Sequence, residues 1–348
     1  MSAPAHYRRG CGTEDAASGL FAALDLGTNN CRLLVGAPVR GGFRVVDSFS
    51  RIVRLGEGLA ATGALSEAAM DRTIAALAAC AERMRRRPVR RLDAVATEAC
   101  RRAANGAAFL VRAAAETGLR PRIITAREEA ELAMESCAPL LTGQDRRALL
   151  FDIGGGSTEI AWIRTGATPE LIGTISLPCG VVTLSERDGH DCYDARGFRE
   201  VVDDVAARLD GFDRLHCIGQ EIRRGGVRLI GTSGTVTTLA GIVLDLPRYR
   251  RQLVDGLRLD AAAADTALDR LFAMGRAGLA AHPCVGPERA DFVLPGCAVY
   301  AAIRRLWPVP ELTVADRGLR EGMLMRLMRA QAPRPRLHSP GDGSSWQA

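Results

Sequence analysis

Two short runs carry residue types that can hold a phosphate: Asp25-Leu26-Gly27-Thr28-Asn29 and Asp152-Ile153-Gly154-Gly155-Gly156-Ser157-Thr158. Each follows an apolar, strand-like stretch and sets one carboxylate just before glycines and hydroxyl side chains. Gly27, Gly154, Gly155 and Gly156 can take φ > 0 and present bare backbone N–H groups to an anion. Thr28, Ser157 and Thr158 add hydroxyl donors, while Asp25 and Asp152 can hold a divalent cation directly or through water. The pattern predicts a phosphate bridged by metal between two such turns. The runs lie 152 − 25 = 127 residues apart, about one domain length, so the site falls between two similar halves.

The elements needed to position these turns can be read from residue spacing. Leu20–Leu24 and Cys31–Gly36 read as a β-hairpin around the first turn, with a further strand at Phe43–Phe49 after Gly41-Gly42. An antiparallel opening of this kind argues against a βαβ dinucleotide fold. Glu67–Arg86 repeats Met70, Ile74, Leu77, Ala81 and Met84 at helical spacing. A strand at Leu92–Thr97, a helix at Ala107–Thr117, a short strand at Arg122–Ile124 and a helix at Glu128–Cys137 complete the first half.

The pattern then restarts with strands Arg147–Ile153, Glu159–Arg164 and Glu170–Leu177. It continues with a helix at Phe198–Leu209, a strand at Arg228–Gly231, and a turn into a helix at Ser233–Leu244. Helices at Ala261–Gly278 and Gly296–Leu306, strand Glu311–Val314 and helix Leu319–Arg329 follow. Two halves that each open with a β-meander predict a duplicated, ribonuclease-H-like α/β architecture with the site in the cleft between them. The expected division is a flexible lead-in over 1–18, a first domain over 19–143, a second over 144–318 and a disordered tail over 330–348. The helix 319–329 is expected to return to the first domain.

The 348 residues include 46 cationic side chains, all of them arginine, for a net charge of +6. That balance favours an anionic substrate without pointing to nucleic acid. The cysteines form no CxxC pair and no Cys/His cluster, which disfavours zinc and redox motifs. Cys100, Cys217 and Cys297 sit in apolar runs and read as reduced, buried thiols, as expected in a cytoplasm. No stretch reaches about 18 apolar residues, so no membrane span is expected. His190 beside Asp188 and Asp191 reads as a polar loop, and the basic run Arg83–Arg91 as a solvated helix end or a path for a long polyanion.

The chain resembles the exopolyphosphatase/guanosine pentaphosphate phosphatase (Ppx/GppA) family of the actin-like superfamily. Its markers are Asp25-Leu26-Gly27-Thr28-Asn29-Asn30-Cys31-Arg32, Ala96-Thr97-Glu98-Ala99-Cys100-Arg101, and Thr125-Ala126-Arg127-Glu128-Glu129-Ala130. They continue with Asp152-Ile153-Gly154-Gly155-Gly156-Ser157-Thr158-Glu159, Gly231-Thr232-Ser233-Gly234-Thr235, Arg289-Ala290-Asp291 and Gly318-Leu319-Arg320-Glu321-Gly322. Thr28, Asn30 and Cys31 stand where Ser, Ser and Phe are frequent in the family. Longer members carry a further HD-type helical domain, so this chain resembles the short form.

The resemblance implies release of terminal orthophosphate from inorganic polyphosphate, with hydrolysis of guanosine pentaphosphate to the tetraphosphate as the close alternative. It implies Glu129 as the water-directing base, a one-residue shift making Glu128 the other candidate. Mg²⁺ or Mn²⁺ would be held by Asp25, Asp152 and Glu159. Phosphate would be bound by Arg101 and by Gly27, Thr28, Asn29, Gly154, Gly155, Gly156, Ser157, Thr158, Ser233, Gly234 and Thr235, with Arg32 and Asn105 assisting. Read from residues alone, Glu129 is first a helix-start acid, an order that the resemblance reverses, and Asn105 is a polar site residue or a cap or turn former. A kinase or ATPase of the same superfamily would phosphorylate an acceptor with ATP, and a nonhydrolytic nucleotide sensor would bind without turnover. A homodimer is compatible with the family.

Overall fold

The computed structural model describes residues 19–330 apart from Gln144, Gly189 and His190. The expectations for residues 1–18, for His190 and for the tail beyond residue 330 lie outside the described residues. Two mixed sheets organise the chain. The first has the order β3-β2-β1-β4-β5, built from β1 Leu20–Leu26, β2 Asn30–Val39, β3 Gly42–Ile52, β4 Val89–Ala96 and β5 Arg122–Ile123. The second comprises β6 Arg147–Ile153, β7 Thr158–Arg164, β8 Glu170–Leu177, β9 Val227–Thr232, β10 Arg258–Asp260 and β11 Glu311–Ala315, in the order β10-β11-β9-β6-β7-β8.

The two orders are the same plan used twice. In each, three strands form an antiparallel meander, and two later strands add in parallel beside the first. β10 is an antiparallel addition at the far edge of the second sheet. This is the duplicated actin-like α/β fold that the restarting meander predicted.

Alternation along the central strands feeds a core on each face. In β1, Ala22, Leu24 and Leu26 pack with the helix Glu67–Arg85, whereas Phe21 and Ala23 pack with Leu319, Met323 and Leu324 of the helix Leu319–Arg329. In β6, Leu149, Phe151 and Ile153 join one core and Ala148 and Leu150 another. A period of two with both faces apolar is what a strand covered by helices on either side requires.

Several elements differ from the sequence reading. The last long helix before β11 starts at Ala290, not Gly296, and runs through Pro295. Proline and glycine read as breakers in isolation. Here Val293, Leu294, Pro295, Gly296 and Cys297 are all buried, and packing keeps the helix continuous. The helix Ala195–His216 runs well past Leu209, and a helix at Val181–Asp188 was not anticipated. Cys100 and Cys297 are buried as expected, but Cys217 is exposed, in a left-handed conformation that joins two helices.

Candidate active site

The parallel strands of both sheets end at one cleft of about 700 Å³. Its walls are the residues just past β1, β4, β6, β9 and β11, the carboxyl-end position at which open α/β sheets bind ligands. Asp25 and Asp152 both line it.

The two turns are built alike. Gly27 N–H donates to Asn30 O at 2.9 Å, and Gly154 N–H donates to Ser157 O at 2.9 Å. Across the ladders, Asp25 stands opposite Arg32 and Asp152 opposite Glu159, so one position carries opposite charge in the two halves. Neither Gly27 nor the three glycines of the second turn takes a positive φ. Their need for glycine is space: a Cβ on Gly156 would lie 2.5 Å from Thr28 Oγ1, and one on Gly155 would lie 3.2 Å from Asn29 N. The turns touch, and they touch through glycine.

Behind the second turn, the start of the helix Val181–Asp188 takes up the carbonyls. Val181 N–H donates to Gly154 O at 2.9 Å, Val182 N–H to Gly155 O at 2.8 Å, and Thr183 Oγ1 to Gly156 O at 3.1 Å. With these carbonyls turned away, no acceptor among the described residues takes the N–H of Gly155 or Gly156. Such a row of backbone donors beside a cleft suits an anion.

Glu129 lies in the first turn of the helix Ala126–Cys137, capped by Thr125 Oγ1, which accepts from Glu128 N–H at 3.1 Å. Helical spacing sends the two glutamates in different directions. Glu128 pairs with Arg122 at 2.7 Å, and this ion pair lowers its pKa. Glu129 is 8% exposed and lines the cleft. Burial, with Glu159 facing it, raises its carboxyl well above the usual range, and Arg101 opposes that rise. The cleft therefore takes Glu129 and leaves Glu128 outside.

Arg101 is held by two carboxylates of the cleft wall. Its guanidinium donates to Glu98 Oε2 at 2.7 Å, to Glu129 Oε2 at 3.1 Å and to Ile124 O at 2.8 Å. Those bonds use four of the five N–H groups, counting the Nε contact to Glu98 at 3.2 Å. Its side chain is not on the cleft wall. Asn105 is likewise elsewhere: its amide clasps Leu65, accepting from N–H at 2.8 Å and donating to O at 2.9 Å. Thr158 Oγ1 is committed to Cys179 O at 2.6 Å. Glu159 is buried behind the turn, its Oε1 accepting from Ser157 Oγ at 2.6 Å and Ser176 Oγ at 2.8 Å. These four residues are not among those that line the cleft, while Gly27, Thr28, Asn29, Arg32, Gly154, Gly155, Gly156, Ser157, Ser233, Gly234 and Thr235 line it.

Arg51, Arg251, Arg289, Arg317 and Arg320 also line the cleft, and none had a role assigned from sequence. The guanidinium groups of Arg289 and Arg320, like that of Arg32, line the cleft with no hydrogen-bonded acceptor or ion pair among the described residues. Arg289 and Arg320 lie in motifs quoted above, Arg289-Ala290-Asp291 and Gly318-Leu319-Arg320, and that was the available signal.

The carboxyl groups of the cleft hold their protons more tightly than free ones do. Burial, then Glu159 and Asp25, push the Asp152 carboxyl up to about 8. Burial raises Asp25 as well, against the pull of Arg32 and Arg320. Asn29 Oδ1 is buried without a donor. Two carboxylates lining one cleft and an orphaned acceptor fit a hard divalent cation. Among the described residues no three His, Cys, Asp or Glu side chains converge on one point, so protein alone would supply only part of a coordination shell.

The chain is similar to known proteins over most of its length. The profile of the Ppx/GppA phosphatase family matches residues 34–331. Exopolyphosphatase 2 of Mycobacterium tuberculosis is 33% identical over 322 residues, covering 88% of this chain and 98% of that protein. A crystal structure of an exopolyphosphatase-like protein superposes with a TM-score of 0.79 at 27% identity, covering 90% of this chain and 99% of the other. A Ppx/GppA member from Aquifex aeolicus gives 0.74 at 26% identity, with 90% and 99% covered. With the paired turns, the cleft glutamate and this match over most of its length, the chain belongs to the Ppx/GppA phosphatase family.

Proposed function

We propose that this chain is an exopolyphosphatase that removes terminal orthophosphate from inorganic polyphosphate. The observation that carries the reading is the buried Glu129 carboxylate on the wall of a cleft whose other walls are two anion-seeking turns. The 33% identity to exopolyphosphatase 2 supports the substrate class.

In this reading the terminal phosphoryl group lies between Thr28 and Ser157, against the N–H groups of Gly155 and Gly156. Glu129 accepts a proton from a water that attacks the terminal phosphorus in line. The bridging P–O bond breaks, and its electron pair stays on the shortened chain as a new terminal phosphate oxygen. Arg32, Arg289 and Arg320 offset the charge that spreads over the phosphoryl oxygens. Glu129 needs its raised affinity for protons to act as base, and Arg101 keeps it ionised and aimed.

Asp25 and Asp152 would hold Mg²⁺ or Mn²⁺, with Asn29 Oδ1 able to accept from a bound water. A small hard cation of this kind keeps several waters and takes substrate phosphates as ligands, so two protein carboxylates suffice. When bound it would neutralise phosphate charge and polarise the phosphoryl group. Glu159 acts from behind, orienting Ser157.

Turnover of defined-length polyphosphate with Mg²⁺, in the presence and absence of guanosine pentaphosphate, tests the substrate. The expected result is orthophosphate release from polyphosphate that the nucleotide barely inhibits. Release from the pentaphosphate alone would contradict the reading.

A further inference from the structure

The basic run Arg83–Arg91 takes no part in the cleft chemistry, yet the fold carries its start to the cleft rim. β3 is the edge strand of the first sheet. Arg51, near its end, is exposed and lines the cleft mouth with Ser50 and Ile52. Two residues back along the strand, Phe49 holds two guanidinium groups, that of Arg51 at 5.3 Å and that of Arg83 at 5.2 Å from its ring centroid. Two residues further, Asp47 pairs with Arg83 and Arg87, each at 3.2 Å.

Positions 51, 49 and 47 alternate onto one face of β3. They form a line from the mouth of the cleft to the end of the helix Glu67–Arg85. Along that line one carboxylate faces three guanidinium groups. Arg85 and Arg86 beside it share Glu82. Stacking on an aromatic face fixes a guanidinium without using its in-plane N–H groups, the ones that bind phosphate oxygens; on Arg83, Asp47 takes only Nη1.

We infer that this edge is the track along which the unreacted part of the substrate chain leaves the cleft, past Arg51 and over Phe49 to Arg83 and Arg87. The inference rests on the polyphosphate reading above. A chain whose end phosphate is enclosed between the two turns must run out through the mouth, and this track is cationic and continuous with it. A track of this kind makes affinity depend on chain length, because only phosphates beyond those in the cleft reach it.

The test compares tripolyphosphate with a long polyphosphate in the Arg83→Gln/Arg87→Gln variant, in Arg51→Gln and in Asp47→Asn. For the double variant, kcat and KM on tripolyphosphate should stay at wild-type values. Its KM on the long chain should rise about 10-fold. The slope of log KM against log salt should fall by about 1 for each phosphate contact removed. Arg51→Gln should raise the long-chain KM in the same direction. Asp47→Asn removes the only carboxylate of the track and should lower the long-chain KM, so a poorly folding arginine variant does not decide the matter. Unchanged long-chain KM and salt slope would overturn the track and leave a solvated helix end. An equal rise on both substrates would overturn it too. Equilibrium binding of the long polyphosphate to wild type and variants reads the track without turnover, so failure of the hydrolytic reading and failure of the track separate.

Discussion

Arg101 Nη1 stands 3.1 Å from Glu129 Oε2, and the same guanidinium also holds Glu98 and the carbonyl of Ile124. The arginine expected on the substrate is thus bonded to the carboxylate proposed as base. In Arg101→Met, Glu129 loses both its aim and the charge that keeps it ionised. We expect kcat to fall by about 10²–10³ while KM changes little, the signature of an interaction realised in the transition state. Arg101→Lys keeps the charge without the fork and should recover part of the loss. A large rise in KM at unchanged kcat would return Arg101 to phosphate binding.

Gly180 packs beneath the second turn so closely that a Cβ there would lie 2.3 Å from Gly155 C. Backbone cannot swing aside as a side-chain tip can. Gly180→Ala should displace the turn and lower both Tm and activity. Gly211, in the helix Ala195–His216, has nothing within 4 Å of its Cβ position. Gly211→Ala should stabilise by about 0.5–1 kcal/mol and leave activity intact. Thermal melts and initial rates on both variants check the pair; equal effects would contradict it.

The cleft carboxylates fix a pH dependence for the metal-free protein. Burial raises Asp152 to about 8, so between its unfolded value near 4 and this one the folded state keeps a proton that the unfolded chain has released. Folded-state protonation is favourable at low pH, and the associated stability is lost as pH rises through that window. Asp152→Asn removes the titration. In EDTA, the Tm of Asp152→Asn relative to wild type should therefore increase from pH 5 to pH 8, by at least about 2 °C. A constant or shrinking difference would contradict the burial argument.

The duplicated plan was legible because both meanders announce themselves by glycine turns between apolar runs, and because Asp25 and Asp152 hold the same place in each. Glu129 was legible only as one of two adjacent glutamates. What separates it from Glu128 is which face of a helix meets the cleft, and Arg122, which claims Glu128, is joined to it by tertiary structure. Arg101, Asn105, Thr158 and Glu159 show the opposite limit. A residue type suited to phosphate or metal does not reveal that Leu65, Cys179 O, Ser176 or Glu129 already occupies it. Nor could the sequence tell why the second turn needs glycine: the constraint is contact with Thr28 from the other half. The helix continuing through Pro295 was hidden for the same reason, since burial outweighed local propensity.

Glu129 is proposed to direct the water that cleaves the terminal phosphate. Single-turnover release of orthophosphate from polyphosphate, measured with Mg²⁺ for wild type and Glu129→Gln, tests it most directly. The variant should lose a factor of about 10²–10⁴ in rate while still binding polyphosphate. Release at the wild-type rate from Glu129→Gln would contradict it.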